Sequence, residues 1–238
     1  VSQAYEGVSV LSGVTASLKG YARIGVVGTS GSGKSTLLRL LAGLEDPAAG
    51  AFVLDGRETL TTLRYESWEE QVAYIPQDPT IFHASLRENL TFYNPQASDE
   101  HLHAVIEKLG LSELLVQLPQ GLDTLIGEGA RGLSGGQAQR IALARVVLDE
   151  RKRIILFDEP TAHLDIETEM ELKQAMVEVM QERLVVFATH RLHWLDTLDY
   201  LLVLEEGKLV EQGTTTQLLE STTHFATLVR ALRGGEAA

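Results

Sequence analysis

Cysteine is absent from the 238 residues, which rules out a disulfide framework and any thiolate-held metal. Basic residues are outnumbered, 20 lysines and arginines against 33 carboxylates, for a formal charge of −13. Contact with nucleic acid needs a basic face to neutralise phosphates, and no basic cluster supplies one, so the composition argues against a nucleic-acid partner. No apolar run approaches the ~20 residues a membrane helix requires, and no signal-peptide pattern opens the chain. A membrane role therefore has to come through a partner or through a segment outside this sequence. Val1 is not a start methionine and lies close to a strand, which suggests a piece of a longer polypeptide. Internal repeats and low-complexity stretches are missing too, and the tail Gly234 to Ala238 is expected to be disordered. What remains is 44% hydrophobic, enough to bury one large core with room for an inserted subdomain, and a soluble α/β unit is the default class.

The stretch Gly28-Thr29-Ser30-Gly31-Ser32-Gly33-Lys34-Ser35-Thr36 organises the rest. It follows the apolar run Ile24 to Val27, read as a buried strand, and opens a helical segment from Leu37 to Ala42. Strand, glycine loop and helix is the context of a phosphate loop. Gly28, Gly31 and Gly33 let successive backbone N–H groups curl around a phosphate, with Ser30 and Thr36 in the same cradle, and the helix N-terminus adds partial positive charge. Lys34 is expected to reach the β- and γ-phosphates of ATP, and the Ser35 hydroxyl to take one position on Mg²⁺.

Alternation from Val10 to Leu18 predicts an antiparallel strand that turns at Lys19-Gly20 into the strand before the loop. Ala51 to Leu54 predicts a short strand closed by Asp55-Gly56, with a polar helical patch after it. Val72 to Ile75 predicts a strand that Pro76 ends, followed at once by Gln77. From about Ala84 to Leu148 the pattern is helical and reads as an insertion. Arg153 to Phe157 is a continuous apolar run of the kind buried on both faces of a sheet, capped by Asp158-Glu159-Pro160. Leu172, Ala175, Met176, Val179 and Met180 have helical spacing and read as core packing. Leu184 to Ala188 predicts another buried strand, ending at Thr189-His190, and Tyr200 to Leu204 with Leu209 to Gln212 predicts a closing hairpin before C-terminal helices. The expected class is α/β: a phosphate-loop ATPase core with a mostly parallel sheet, an N-terminal antiparallel β subdomain and the helical insertion at about 84–148.

Gly28, Gln77, Asp158-Glu159 and His190 each follow an apolar run directly. In a parallel sheet the carboxyl ends of the strands share one edge, where ligands bind. Asp158 is the natural second contact to Mg²⁺, and Glu159 stands one residue further out to orient or deprotonate the attacking water. Gln77 can bind Mg²⁺ or the lytic water through its amide oxygen, and His190 can donate to the γ-phosphate. His163 and His193 read as structural.

Leu133-Ser134-Gly135-Gly136-Gln137, running into Ala138 to Arg145, resembles the signature of ABC-transporter ATPases. The resemblance takes in the phosphate loop, Gln77, the signature, Ile154 to Glu159, Ala162-His163-Leu164-Asp165 and His190, in the family's order. Ser134, Gly135 and Gly136, opening a helix expected from Gln137 to Leu148, make a second anion-binding N-terminus. One chain does not need two for one nucleotide. The resemblance implies a head-to-tail dimer in which the signature of one subunit covers the γ-phosphate on the phosphate loop of the other, with Asp165 touching the partner.

Asp123 to Gly132 and the Gln77 to Phe82 loop resemble the exporter branch, in which a glutamate matching Glu128 contacts membrane-domain loops and the ATPase is usually fused to membrane helices. Val1 to Tyr5 is similar to the family's strand that ends in an adenine-stacking aromatic, making Tyr5 the candidate for the adenine face. The tetrad at 162–165 departs from the commoner serine-alanine-leucine-aspartate form. With Ile166 to Glu169 and His190 to Trp194 it most resembles the CydD-type subunit of a bacterial heterodimeric exporter of cysteine or glutathione, needed for cytochrome bd assembly. That resemblance implies a cytoplasmic position at the bacterial inner membrane and a non-identical second ATPase domain. A soluble ABC ATPase acting on ribosomes or DNA is the second reading. A small-molecule kinase is disfavoured, having no use for a second phosphate-binding signature.

Overall fold

The computed structural model describes residues 1–19, 22–127, 132–220, 225–227 and 229. Contacts divide the chain into two units, one of Val1–Tyr74, Ile154–Glu159 and Glu182–Ala238 and one of Ile75–Arg153 and Pro160–Gln181.

The first unit opens with a hairpin of β1 (Gln3–Tyr5) and β2 (Val8–Leu11). The strand expected over Val10 to Leu18 therefore ends early. Gly13 adopts φ +62, and the backbone around it leaves the ladder: Ser12 N–H donates to Gly207 O and Val14 N–H to Val1 O, both at 2.8 Å. β3 (Arg23–Val27) then leads into the glycine loop and α1 (Lys34–Leu41), which starts three residues before the first apolar residue of the expected helix. β4 (Phe52–Leu54) pairs with β5 (Glu58–Leu60), a strand that sequence patterning missed because Glu58 and Thr59 are exposed and polar. The polar patch condenses to one turn, α2 (Glu66–Glu69), before β6 (Val72–Ile75).

The second unit carries the helical stretch: β7 (Ala84–Ser85), α3 (Leu86–Leu90), α4 (Asp99–Lys108), α5 (Ser112–Gln117), β8 (Leu125–Ile126) and α6 (Gly135–Val147). Two-residue strands β7 and β8 pair antiparallel within it. β9 (Ile154–Asp158) belongs to the first unit, and α7 (Ile166–Val179) to the second. Leu172, Ala175, Met176, Val179 and Met180 are buried, as their spacing predicts.

The chain closes with β10 (Leu184–Thr189), β11 (Tyr200–Glu205), β12 (Lys208–Thr214) and α8 (Thr215–Glu220). The central sheet has the order β12-β11-β3-β10-β9-β6. β11, β3, β10 and β9 run parallel, and β12 is antiparallel to β11. Buried apolar positions dominate β3, β9 and β10, so these strands are covered on both faces. Phe157 and Phe187 lie with ring centroids 5.4 Å apart, and Trp194 stands 4.6 Å from Phe187. Among the described residues no helix is long and apolar enough to cross a membrane.

Candidate functional site

Register brings the first group of residues together. Thr189 pairs with Val27 and Ala188 with Asp158, so the residues after those strands, Gly28, Glu159 and His190, leave the sheet along one edge. A cavity of about 320 Å³ opens there, between Gly28 to Ser30, Glu159 and His190 on the polar side and Leu192, Leu195, Phe225 and Val229 on the apolar side.

The glycine loop is shaped by two positions. Gly33 caps α1 at φ +100, and a Cβ there would come within 2.6 Å of Leu11 Cδ2. A Cβ on Gly28 would meet Leu204 O at 2.2 Å. No side chain caps α1, so its first N–H groups remain donors for an anion. Ser32 Oγ is buried without a hydrogen-bond partner, a polar atom the fold leaves for something else.

Lys34 is 4% exposed. Its Nζ donates to Gly28 O and Thr29 O at 3.0 Å and lies 3.2 Å from Glu159 Oε1. Glu159 Oε2 is 2.9 Å from His190 Nδ1. Glu159 also takes the left-handed backbone region, φ 48, with its N–H donating to Ala188 O at 3.0 Å. A side chain with a Cβ is rarely held there, and the cost is about 1–2 kcal/mol. Such strain persists where the surroundings fix it, which is common at functional turns.

Ser35 Oγ donates to Asp158 Oδ1 at 2.8 Å, and Tyr74 Oη donates to Oδ2 at 2.8 Å. Burial and the Asp158 bond push the Tyr74 phenol well above its ordinary pKa. These are hard oxygen donors, suited to Mg²⁺. No cluster of three acidic or histidine side chains ready for a metal occurs among the described residues. A hydroxyl and one carboxylate fit the usual Mg²⁺ pattern, in which substrate phosphates and water complete the shell.

Tyr5 is 38% exposed, with its hydroxyl bonded to Glu45 and approached by Arg39 Nη2 at 3.3 Å. Burial opposes the charge on Glu45, but the bonds from Tyr5 and Arg39 outweigh it and hold the carboxyl below its ordinary range. The phenol is thus fixed, and the ring remains partly open.

The remaining expected residues belong to the second unit. Ser134 caps α6: its Oγ accepts from Gln137 N–H at 3.2 Å, and Gln137 Oε1 accepts from Ser134 N–H at 3.0 Å. This reciprocal box begins the helix at Gly135, earlier than the expected Gln137. The hydroxyl proton of Ser134 stays available for donation. Gly136 packs against α7 so closely that a Cβ would come 2.6 Å from Thr168 Cγ2. Thr168 Oγ1 and N–H in turn bond the N-cap Asp165 at 2.8 and 2.9 Å, and these bonds depress the Asp165 pKa. Gln77 gives its main-chain carbonyl to Gln139 Nε2 at 2.8 Å. Its side-chain nitrogen is 2.9 Å from His163 Nε2, and His163 Nδ1 is 2.9 Å from Asp78 Oδ1. His163, read as structural from sequence, thus touches a candidate site residue. Glu128 and the tail Gly234 to Ala238 lie outside the described residues, as does Gly20 of the expected turn.

Tyr74 was also missed. Its place in an apolar strand marks it as core, and only a hydroxyl on a residue three positions before Gln77 could have hinted at more.

The family model for the ABC transporter matches residues 11–162. The glutathione/L-cysteine transport system ATP-binding/permease protein CydC of Bacillus subtilis is 47% identical over 97% of this chain and 41% of its own length. The protein of the same name in Escherichia coli is 36% identical over 88% of the chain and 36% of its own length. The human mitochondrial iron-sulfur clusters transporter ABCB7 is 39% identical over 90% of the chain and 28% of its own length. A solved structure of a bacterial Atm1-family ABC exporter with ATP bound superposes with a TM-score of 0.85, at 32% identity over 98% of this chain and 40% of that one. The chain thus spans about two fifths of the first of these relatives. The cysteine/glutathione relatives carry the CydC name, where the sequence motifs resembled the CydD-type subunit. The family model covers more than half of the chain and these relatives exceed 30% identity over nearly all of it, so the chain belongs to the ABC transporter family.

Proposed function

We propose that this chain is the ATP-hydrolysing motor of an ABC exporter, coupled to membrane helices of the same polypeptide. The observation that carries the reading is the Glu159 carboxylate held between Lys34 and His190 at the edge of the sheet, beside a helix start that no side chain caps. Gly28, Ser30, Gly31, Gly33, Lys34 and Thr36 cradle the triphosphate, and Tyr5 stacks on the adenine. Ser35 and Asp158 would hold Mg²⁺, and the amide oxygen of Gln77 is a candidate ligand for the metal or the attacking water. When bound, the ion neutralises phosphate charge and clamps the transferring group. Glu159 accepts the proton of the attacking water, and His190, bonded to Glu159 through Nδ1, donates from its other nitrogen to the γ-phosphate.

Ser134, Gly135, Gly136 and Gln137 serve a second nucleotide, on a neighbouring ATPase domain arranged head to tail, and Asp165 meets that neighbour. Two relatives named as ATP-binding/permease proteins for glutathione and L-cysteine support a membrane fusion and that cargo class. They also support a position on the cytoplasmic face of a bacterial membrane.

Release of phosphate from Mg²⁺ and ATP with no acceptor present tests the reaction. Turnover to ADP and free phosphate is expected. A requirement for an added hydroxyl acceptor would identify a kinase instead.

A further inference from the structure

We propose that Tyr74 is a positioning residue for Asp158, its phenol holding one carboxylate oxygen so that the other stays beside Ser35 and turned to the metal. The inference rests on the reading of Asp158 as the carboxylate that serves Mg²⁺.

Tyr74 is the third residue of β6, and its ring packs against the core that includes Leu156, Val186 and Leu38. The ring is therefore anchored by apolar contact. Its hydroxyl donates to Asp158 Oδ2 at 2.8 Å while Ser35 Oγ donates to Oδ1 at 2.8 Å. Asp158 is only 6% exposed, so these donors do for it what water does for a surface carboxylate. A carboxylate bonded from both sides cannot exchange its oxygens without breaking two hydrogen bonds.

The arrangement also sets the chemistry of Ser35. A hydroxyl that gives its proton to Asp158 keeps both lone pairs for a cation. Tyr74 occupies Oδ2 of Asp158 and leaves Oδ1 to Ser35. Donors that fix a ligand carboxylate from behind act on metal affinity more than on fold, and their loss typically weakens binding about 10–100-fold. Neither the glycine loop nor the LSGGQ motif specifies a hydroxyl at this position, and phenylalanine would fill the same space.

Tyr74→Phe removes only that hydroxyl. Paramagnetic titration of Mn²⁺, with a non-hydrolysable ATP analogue bound, reads metal affinity without turnover, and near-ultraviolet circular dichroism checks the packing of the variant. The expected result is Mn²⁺ affinity about tenfold lower or worse. The Mg²⁺ concentration for half-maximal phosphate release should rise by the same factor, the deficit closing as Mg²⁺ is raised. Asp158→Ala separates the two readings. If D158A binds Mn²⁺ like the parent, the metal role of Asp158 falls, and the inference with it. If D158A is weakened but Y74F binds Mn²⁺ like the parent, the role of Tyr74 alone is overturned.

Discussion

Glu159→Gln is expected to leave ATP bound and to stop its turnover, with kcat falling on the order of 10²–10⁴, the usual worth of a positioned base. The side chain is 17% exposed, with one oxygen 3.2 Å from Lys34 Nζ and the other 2.9 Å from His190 Nδ1. An amide matches the carboxylate in size and in its capacity for both contacts, so the loop and the strained turn at φ 48 are retained. What is lost is the lone pair that takes a proton from water, together with the negative charge that draws Lys34 and His190 together. In the proposed site ATP is held by the loop and not by this carboxylate, so the variant should accumulate as an ATP-bound dimer. Single-turnover phosphate release and size-exclusion chromatography with ATP read the two effects separately. Hydrolysis at the parental rate would remove Glu159 from the chemistry.

The second large effect lies in binding. Lys34→Met keeps most of the aliphatic stem and removes a buried ammonium that now touches Gly28 O, Thr29 O and Glu159. Truncating one partner of a buried, hydrogen-bonded charge pair costs about 2–5 kcal/mol, and about 3 kcal/mol corresponds to an ATP affinity on the order of 10²-fold weaker. Titration with a fluorescent ATP analogue measures it. The two variants should therefore part company, Glu159→Gln binding without turning over and Lys34→Met binding on the order of 10²-fold more weakly. Equal affinity in Lys34→Met and the parent would mean that the loop backbone alone holds the triphosphate.

The sheet edge that lines the cavity was legible in the sequence because its strands are buried on both faces. Ile24 to Val27, Ile154 to Phe157 and Leu184 to Ala188 are apolar runs; Gly28 and Asp158 follow theirs directly, and His190 follows the third with Thr189 between. Side-chain partners were less legible, since they depend on register between strands far apart in sequence. Tyr74 and Asp158 are 84 residues apart, and no periodicity points from one to the other. His163 was passed over for the same reason, its partners Gln77 and Asp78 lying 86 and 85 residues away.

Local reading failed where exposure mimics polarity or alternation outruns the ladder. Glu58-Thr59-Leu60 has the composition of a loop but pairs with Phe52 to Leu54. The alternation beyond Leu11 continues in sequence, while the backbone at Gly13 turns out of the sheet. The Ser134 box was only half read: the motif placed an anion-binding helix end there, whereas the reciprocal bond with Gln137 emerged from the structure. That bond pre-organises the end and leaves the Ser134 proton to donate.

The central claim is that the glycine loop of one subunit and the Ser134 helix end of another close on the same ATP. Because the chain has no cysteine, Ser30→Cys in one copy and Ser134→Cys in a second, both carrying Glu159→Gln, report on that closure without background. A disulfide between the two copies that forms with Mg²⁺ and ATP, and not without nucleotide, is the predicted result. Cross-linking that ignores nucleotide, or none at saturating ATP, would contradict it.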